Sequence, residues 1–393
     1  MDFSIIFSDF WSLTIDGLVV GAIIALVSLG YTLVYGVLRL INFAHSEIFM
    51  IGTMTCYVVI QQFGFTGYEE ALPLWKFASL FLLFGLTAAI VSGAAAVLLE
   101  IVAYRRLRVL GASRLSSLIS AIGASFFLVE VARKLSDSKN LDFPRLISKE
   151  PFLTLSGYDL TPGKISLALL AAVPLFFVAR LLKMTKVLAA VMAIGTSAVV
   201  ITLGVLPNFN FKFPGSTTNS VSKWFNHTLV TSSDAYLTQD RVLVTIGAAL
   251  IFFVLNRVIN HTKLGLGIRA VSQDERTSIL MGVNVNRIIS YTFLLGGVLA
   301  GLGSAFYMVF YETTKANVGF LIGISAFTAA VLGGIGNVKG ALYGSFALGL
   351  FQQYTSAVLG YNWKDVVTFV ILVFVLLVKP TGLFGEALQK ARV

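Results

Sequence analysis

The few ionisable residues inside hydrophobic stretches are the first candidates for chemistry in this sequence. The segment INFAHSEIFMIG, residues 41–52, places Asn42, His45 and Glu47 at the start of a hydrophobic run. Such groups gate pathways, contact partners, cap helices or hydrogen-bond between helices. A charged side chain costs about 2.5 to 3.5 kcal/mol at a bilayer centre but far less near a helix end, where these residues fall. We therefore favour capping and hydrogen bonding between helices, with gating or partner contact as the second interpretation.

The patterns of common catalytic and metal sites are absent from the sequence. GGIGNVKG, residues 333–340, resembles a phosphate-binding loop, but it lacks the full GxxxxGK[ST] pattern and no soluble strand precedes it. There is no nucleophile elbow and no HExxH. Cys56 is the single cysteine, and His45, His227 and His261 are scattered, so no metal-ligand spacing exists. We predict neither an enzyme nor a bound cofactor.

A polar loop between two hydrophobic segments, LGLGIRAVSQDERTSILMGVNVNRI (residues 264–288), has the signals of a short capped helix. Ser272 and Glu275 have the spacing of a capping box, and Gly282 provides a left-handed stop. A loop that only reverses the chain needs no such helix, whereas a soluble partner needs a rigid element to contact. We therefore expect the loop 261–287 to bind a soluble partner. Its candidate contact residues are Ala270, Ser272, Asp274, Glu275, Arg276 and Gly282.

Hydrophobic segments long enough to cross a membrane must position these residues. The 393-residue chain is 57% hydrophobic and 12% charged, with a mean hydropathy of +0.86. This composition predicts an all-α polytopic membrane protein with about ten or eleven transmembrane helices. The first segment is too long for a signal-peptide core, so we expect it to be retained. The predicted spans are residues 17–38, 43–63, 77–99, 115–132, 165–182, 187–206, 242–258, 288–311, 341–359 and 366–378.

A further hydrophobic segment, residues 319–332, is short for a span. It would rise only about 21 Å as a helix, less than the roughly 30 Å hydrocarbon core of a bilayer. It contains Ser325 and Thr328 and runs into Gly333, Gly334 and Gly336. Irregular backbone at membrane depth is tolerated only where protein or a watery cavity covers it. We predict a half-helix or broken span that lines the central pathway.

Small residues recur at helical spacing in several predicted spans. They allow helix backbones to approach closely where lipid supplies no hydrophobic driving force. We expect these steps to serve mainly helix packing, with pathway lining as the alternative. The steps are Gly17, Gly21 and Ala25; Gly297 and Gly301; and Gly340 and Gly344.

The distribution of basic residues predicts how the chain is oriented. With the N-terminus outside and the short segment 319–332 counted as a crossing, most of the 29 lysines and arginines fall on the inside. Cytoplasmic loops carry such an excess, so the C-terminus and the loop 261–287 should be cytoplasmic. The net charge of +10 is spread in short clusters between hydrophobic segments. We therefore assign it to orientation against membrane lipid and not to nucleic-acid binding.

Several motifs together resemble, in order along the chain, the LivH-type permeases of branched-chain amino acid ABC importers. The resemblance implies a LivH/RbsC-like permease fold, as one transmembrane domain over residues 1–393. It also implies four kinds of partner: a LivM-like second permease, LivG-like and LivF-like ATP-binding subunits, and an extracytoplasmic substrate-binding protein. ATP hydrolysis would belong to the ATP-binding subunits, and the loop helix would be the coupling helix in their cleft. The motifs are INFAHSEIFMIG, SLISAIGASFFL (117–128), the capped loop, AFTAAVLGGIGNVKGALYG (326–344) and KDVVTFVILVFVLLVKPTGLFG (364–385).

The sequence departs from the family pattern in three places. Ser46 stands where the family usually has glycine, and Glu275, Thr277 and Ser278 replace residues that are commonly proline or alanine. An extra stretch centred on residues 165–206 has no counterpart that we recognise in the family. Because it contains two of the predicted spans, we predict an inserted hairpin that leaves the sidedness of later segments unchanged.

Three functions remain open at the level of sequence. The leading one is a permease subunit for branched-chain amino acids. A second keeps the machinery and changes the cargo to urea, short amides or other amino acids, because apolar pathway residues do not encode a ligand. A stand-alone secondary transporter or channel is the third. That class usually needs proton-relay or ion-coupling groups within its spans, whereas the charges here lie almost wholly at span ends.

Overall fold

Helices make up most of the described chain. The computed structural model describes residues 5–40, 42–65, 72–155, 159–160, 230–231 and 235–385. A single turn, Ile5–Ser8, comes first. Helix α3 (Leu74–Leu99) continues through a π-helical segment, Glu100–Arg105, and a last turn, Arg106–Val109. The other helices are α1 (Phe10–Leu38), α2 (His45–Gln62), α4 (Arg114–Leu135), α5 (Gln239–His261), α6 (Lys263–Gln273), α7 (Glu275–Leu280), α8 (Val285–Tyr311), α9 (Val318–Gly333), α10 (Val338–Leu359) and α11 (Trp363–Val378).

Within the described residues, six short strands form three two-stranded pairings. The strands are β1 (Leu141–Asp142), β2 (Pro151–Leu155), β3 (Asp159–Leu160), β4 (Val230–Thr231), β5 (Ala235–Thr238) and β6 (Thr313–Thr314). β1 pairs antiparallel with β6, β3 pairs antiparallel with β4, and β2 pairs with β5. The chain divides into two compact units, residues 1–14 with 151–237 and residues 15–150 with 238–393.

The hydrophobic helices make this a multi-pass membrane protein. Among the described residues, five helices are long and apolar enough to cross a membrane, or six if α9 and α10 are counted as one bent span. The five are α1, α3 with its continuation to Val109, α4, α5 and α8. The shorter α2 and α11 coincide with two further predicted spans. The predicted spans 165–182 and 187–206 lie outside the described residues.

Close helix packing in the larger unit depends on the small-residue steps that the sequence predicts. A β-carbon at Gly21 of α1 would lie 2.9 Å from the Phe346 Cα of α10, so the two backbones touch. Gly297 and Gly301 of α8 have no room for a β-carbon against α3. This packing puts α1 at the centre, with 94% of its hydrophobic window buried, whereas α4 buries only 17% of its own. The expectation that these glycines serve packing is confirmed.

Helices α9 and α10 form a sharply bent pair. Their axes differ by 120°, and the turn between them uses Gly334 and Gly336 with φ of +106° and +93°. Asn337 caps α10 by accepting from the Lys339 and Gly340 amides, at 3.1 Å each. The stretch that resembles a phosphate loop is therefore a turn between helices. The 16-residue α9 rises about 24 Å, so the prediction of a short element before these glycines is confirmed.

Loops that the charge pattern assigns to one side also meet in space. Glu312, after α8, accepts from Lys149 at 2.8 Å and from Arg145 at 3.2 Å, both in the segment after α4. The Leu72 amide, just before α3, donates to the Leu146 carbonyl at 3.1 Å. At the other ends of these helices, Arg108 contacts Asn286 at 2.9 Å, which joins the end of α3 to the start of α8. The alternation of loops between two faces is thus consistent within the larger unit.

Candidate functional site

The loop 261–287 contains two capped helices in succession. The Thr262 hydroxyl accepts from the Gly265 amide at 3.1 Å and begins α6, and Asp274 begins α7 by accepting from the Arg276 amide at 2.9 Å. The Thr277 hydroxyl also donates to the Asp274 carboxylate. This hydrogen bond holds the pKa of the Asp274 carboxyl below its usual value, so the cap stays charged at neutral pH. Gly282 ends the element with φ of +82°, as the sequence predicts.

The capping box predicted for Ser272 and Glu275 is wrong. Ser272 lies in the last turn of α6, and its hydroxyl donates to the Arg269 carbonyl at 2.8 Å. The N-cap is Asp274, two residues later, because residues 263–273 form an amphipathic helix of their own whose inner face includes the buried Ile268. A serine inside a helix bonds back to its preceding turn and is then unavailable as a cap. Ala270 therefore belongs to α6, and the helix after the cap is only six residues long.

The tip of the loop exposes hydrophobic side chains. Leu280 and Met281, at the end of α7, are 85% and 79% exposed, and Ile279 beside them is also exposed. A group of exposed apolar side chains at a loop tip is a candidate contact site for another protein. The sequence analysis missed these residues because it considered polar and charged positions alone.

One arginine anchors this loop to the first long helix. Arg39, just after α1, donates through one Nη to the carbonyls of Ser272 and Gln273, at 3.0 Å each. These are carbonyls at the C-terminal end of α6, where helices favour positive charge. Arg39 itself has φ of +52°, so the backbone leaves α1 in a left-handed conformation. The charge pattern identified Arg39 only as an orienting residue.

Asn42, His45 and Glu47 are buried at the start of α2, and they bond between helices without capping their own. Asn42 Oδ1 accepts from the Tyr104 hydroxyl at 2.7 Å, and a Glu47 oxygen accepts from the Ser125 hydroxyl of α4 at 3.0 Å. Residue 44 is the N-cap, and no side chain caps it. Of the two roles that we favoured, hydrogen bonding between helices is confirmed and capping is wrong, because all three side chains turn into the helix bundle.

The start of α2 lies directly against α9. Gly319 faces the Ser46 carbonyl and the second Glu47 oxygen, and Gly323 faces the Ser46 side chain and the Tyr31 hydroxyl. The His45 ring packs edge-to-face on Tyr31 at 4.8 Å. A β-carbon at either glycine would collide, so the close approach of α9 depends on them. The structure thus brings two of the predicted pathway segments into contact.

Glu47 and His45 are two of several buried polar residues that keep an unpaired atom, with Asn42 and Thr328 among the others. Within the described part of the chain, Glu47 Oε2 and His45 Nε2 have no hydrogen-bond partner. Buried polar atoms are nearly always paired, so such atoms mark functional or hydrated positions. The candidate status of His45 and Glu47 therefore rests on geometry as well as on sequence.

The two polar residues predicted in α9 have different surroundings: Ser325 belongs to a hydrogen-bond cluster, and Thr328 is packed inside the protein. Gln352 of α10 donates to the Ser325 hydroxyl at 3.0 Å and to the Thr368 hydroxyl of α11 at 2.8 Å. This links α9, α10 and α11, and the sequence analysis missed Gln352 because the residue lies within an otherwise hydrophobic span. Thr328 is fully buried. Gly333 packs against the Gly340 backbone, and with Gly334 and Gly336 it shapes the turn.

A buried carboxylate joins the end of α3 to the start of α8. Glu100, fully buried in the π-helical segment, accepts from Arg105 at 2.7 Å, from Arg108 at 3.0 Å and from the Ser290 hydroxyl at 3.0 Å. π-Helical turns inside α-helices are frequent at functional sites. This cluster lies at the same end of the helices as Asn286 and the loop 261–287.

A cavity of about 210 Å³ opens beside the start of α9. Ser325 is the one predicted pathway residue among those that line it. Lys315 and Tyr361 come from the segments before α9 and α11, and Lys364 comes from the first turn of α11. Because these segments share one cavity, α10 returns the chain to the face where α9 begins. The cavity is thus bounded by the end of α8 and the first turns of α9 and α11, at the end of α9 opposite the α9–α10 turn.

Comparison with known proteins agrees with this architecture. The family described as branched-chain amino acid transport system / permease component matches residues 13–205 and 165–376, which overlap in the stretch predicted as an inserted hairpin. The permease protein BraD of a high-affinity branched-chain amino acid transport system in Pseudomonas aeruginosa is 32% identical over 95% of this chain and 94% of its own. The LivH permeases of Salmonella typhimurium and Escherichia coli K12 are each 29% identical over 94% of both chains. No solved structure matches. The chain therefore belongs to the family of permease components of branched-chain amino acid transport systems.

Proposed function

We propose that this chain is one permease subunit of an ATP-driven importer and that its cargo is a branched-chain amino acid. The observation that carries the proposal is the match to BraD and LivH over nearly the whole of both chains. The subunit itself would hydrolyse no ATP. It would form half of the translocation path and alternate its access as separate ATP-binding subunits close and open.

The loop 261–287 would receive the motion of those subunits. The exposed Leu280 and Met281 form a hydrophobic tip, and the Asp274 cap and the Gly282 stop fix the helix that carries it. Ala270, Ser272, Glu275 and Arg276 would border the same contact. In this proposal the loop, the C-terminus and the α9–α10 turn are cytoplasmic, and the N-terminus is outside.

The remaining partners follow from the same proposal. A LivM-like permease would pack on the hydrophobic surfaces left exposed by the least buried spans, of which α4 is one. LivG-like and LivF-like subunits would bind the cytoplasmic loop, and a substrate-binding protein would deliver cargo to the opposite face. Contact between α2 and α9 supports a place beside the path for Asn42, His45, Glu47, Ser325 and Thr328.

Purification from native membranes tests the proposal. The tagged chain should bring down a second permease and two ATP-binding proteins, identified by mass spectrometry. The same complex in proteoliposomes, with its binding protein, should take up labelled leucine only when ATP is inside the vesicles. Uptake of urea or a short amide in place of leucine would overturn the cargo. Uptake by the isolated chain, driven by an ion gradient without ATP, would overturn the importer.

A further inference from the structure

The cavity beside α9 is lined by two cationic side chains, Lys315 and Lys364, and by one anionic side chain, Asp365. Lys364 Nζ lies 5.9 Å from the Tyr311 ring centroid and 5.7 Å from that of Tyr361. Across the described residues, neither Lys364 nor Asp365 takes part in an ion pair within 4.0 Å, whereas Lys149 and Arg145 at the same face both pair with Glu312. Lys364 and Asp365 are therefore both free to bind a charged ligand.

The opposite wall of this cavity is hydrophobic. Val318, Leu321 and Ile322 of α9 line it. A cavity of about 150 Å³ holds benzene, with six non-hydrogen atoms, so one of about 210 Å³ suits a solute of eight or nine. An α-amino acid with a four-carbon side chain has nine. The volume thus matches an amino acid of this size and is large for urea.

We propose that this cavity binds the cargo as a zwitterion: Lys364 receives its carboxylate, Asp365 receives its ammonium group, and the α9 wall receives its hydrophobic side chain. The proposal rests on the importer function proposed above, and it adds a specificity site on the permease itself. Cation and anion together select against urea, amides and sugars, which carry neither charge. A site built around charged partners rejects analogues that leave those partners unsatisfied.

Binding of L-leucine to the assembled complex, without its substrate-binding protein, tests the site. The concentration of leucine that half-maximally raises the thermal midpoint is compared with that of L-leucinamide, which lacks the carboxylate, and 4-methylpentanoate, which lacks the ammonium group. The wild-type complex should prefer leucine over each analogue by about 10- to 100-fold, the range expected for a charged hydrogen bond.

The variants should lose these preferences separately. Lys364→Gln should remove the preference for leucine over leucinamide, and Lys364→Arg should largely keep it. Asp365→Asn should remove only the preference over 4-methylpentanoate. Lys149→Gln is the matched control, since Lys149 is already paired with Glu312, and it should change neither.

Two results would overturn the site. One is a wild-type complex that leucine does not stabilise, and the other is a pair of Lys364→Gln and Asp365→Asn variants with both preferences intact. If the complex with Lys364→Gln fails to assemble, the Asp365→Asn variant still tests the site, because Asp365 is exposed and its preference over 4-methylpentanoate can be measured alone. ATP-dependent leucine uptake that survives either result would leave the proposed function standing, whereas uptake of another solute would remove it.

Discussion

At the scale of single residues, the contrast between two glutamates shows what burial does to an ion pair. Glu100 is fully buried and bonds to two arginines, whereas Glu130 pairs with Arg133 on the surface, where their side chains are 63% and 49% exposed. Both glutamates lie near span ends, and both are paired. The burial of Glu100 depends on Ser290, 190 residues away, and no local pattern reveals it.

We predict that Glu100→Gln destabilises the protein more than Glu130→Gln. Loss of the buried carboxylate charge leaves Arg105 and Arg108 without a counter-charge, at a cost of about 1 to 3 kcal/mol because both arginines retain some solvent contact. The exposed pair contributes less than about 1 kcal/mol. Thermal midpoints in the same detergent provide the comparison. Equal shifts for the two variants would contradict the structural role of Glu100.

Residue-level prediction from sequence succeeds where the signal is local. Gly282 was identified because a left-handed stop strongly favours glycine. Ser272 was misassigned because the capping-box pattern ignores the helix that precedes it. Arg39 and Gln352 were missed because their partners lie on other helices, so their roles exist only after packing.

At the scale of elements, the tip of α7 should transmit force through its hydrophobic side chains. We predict that Leu280→Asp with Met281→Asp abolishes ATP-dependent uptake and retention of the ATP-binding subunits, while membrane insertion is unchanged. The charged groups would make burial of the tip in a protein cleft unfavourable. Pull-down yield and uptake are measured together.

The matched control for this variant is Val109→Asp with Leu110→Asp. These residues follow α3 at the face that also carries the loop 261–287, and their side chains are equally exposed. Val109 and Leu110 do not lie on the capped helix α7, which we propose transmits the motion. Uptake by this control variant should therefore stay near that of the wild type. If this control fails as badly as the α7 variant, exposure of hydrophobic groups at that face, and not α7 itself, determines assembly.

Single cysteines in α9 should distinguish the residues that line the cavity from those that pack against other helices. In a Cys56→Ala background, we predict that cysteines at Ser325 and Ile322 react with small water-soluble thiol reagents, more slowly when cargo is present, because both positions line the cavity. Thr328→Cys should react far more slowly, since Thr328 is fully buried. Reaction rates are followed by mass spectrometry. Equal rates at all three positions would contradict this division of α9.

Gly333 is unsuitable for this experiment even though the sequence placed it beside the path. A β-carbon there would overlap the Gly340 carbonyl, so a substitution would separate α9 from α10 before any reagent reached it. The length of α9 and its glycine end were predictable, because both are written in consecutive residues. The face of α9 that meets water was not predictable from the sequence, since α9 is hydrophobic all round and its orientation depends on α10 and α11.

At the scale of the whole molecule, the strand pairing around residues 161–229 suggests how the chain accommodates this stretch. Leu160 and Val230 are register partners in the antiparallel β3–β4 pairing. The two ends of the stretch 161–229 are therefore neighbours within the smaller unit. The predicted hairpin 165–206 falls within this stretch, outside the described residues, and remains a prediction from sequence.

We predict that residues 161–229 can be replaced by Asn-Gly with retention of measurable ATP-dependent uptake. A two-residue turn is the natural connection between antiparallel partners, so the deletion should leave the β3–β4 register intact. Uptake per assembled complex is the measurement, which separates loss of yield from loss of mechanism. A deleted complex that assembles at wild-type yield without uptake would place this stretch in the transport cycle.

The sidedness of the whole molecule remains a prediction from charge placement, which depends on composition and not on packing. The alternation of loops that it predicts agrees with the contacts of Glu312 and Asn286 at the two faces. The cavity was the least predictable feature, because Lys364 and Asp365 of α11 meet the hydrophobic wall of α9 only in the folded chain.

The bond from Arg39 to the loop carbonyls has a consequence for biosynthesis. Arg39 and Ser272 are separated by 233 residues. At about 5 to 20 residues per second, the ribosome needs roughly 12 to 47 seconds to reach the loop after it has made the end of α1. During that interval the first helix is already made, while Arg39 at its end still lacks the loop carbonyls. Orientation by positive charge is then the only restraint that Arg39 supplies, and its bond to the loop is completed late in synthesis.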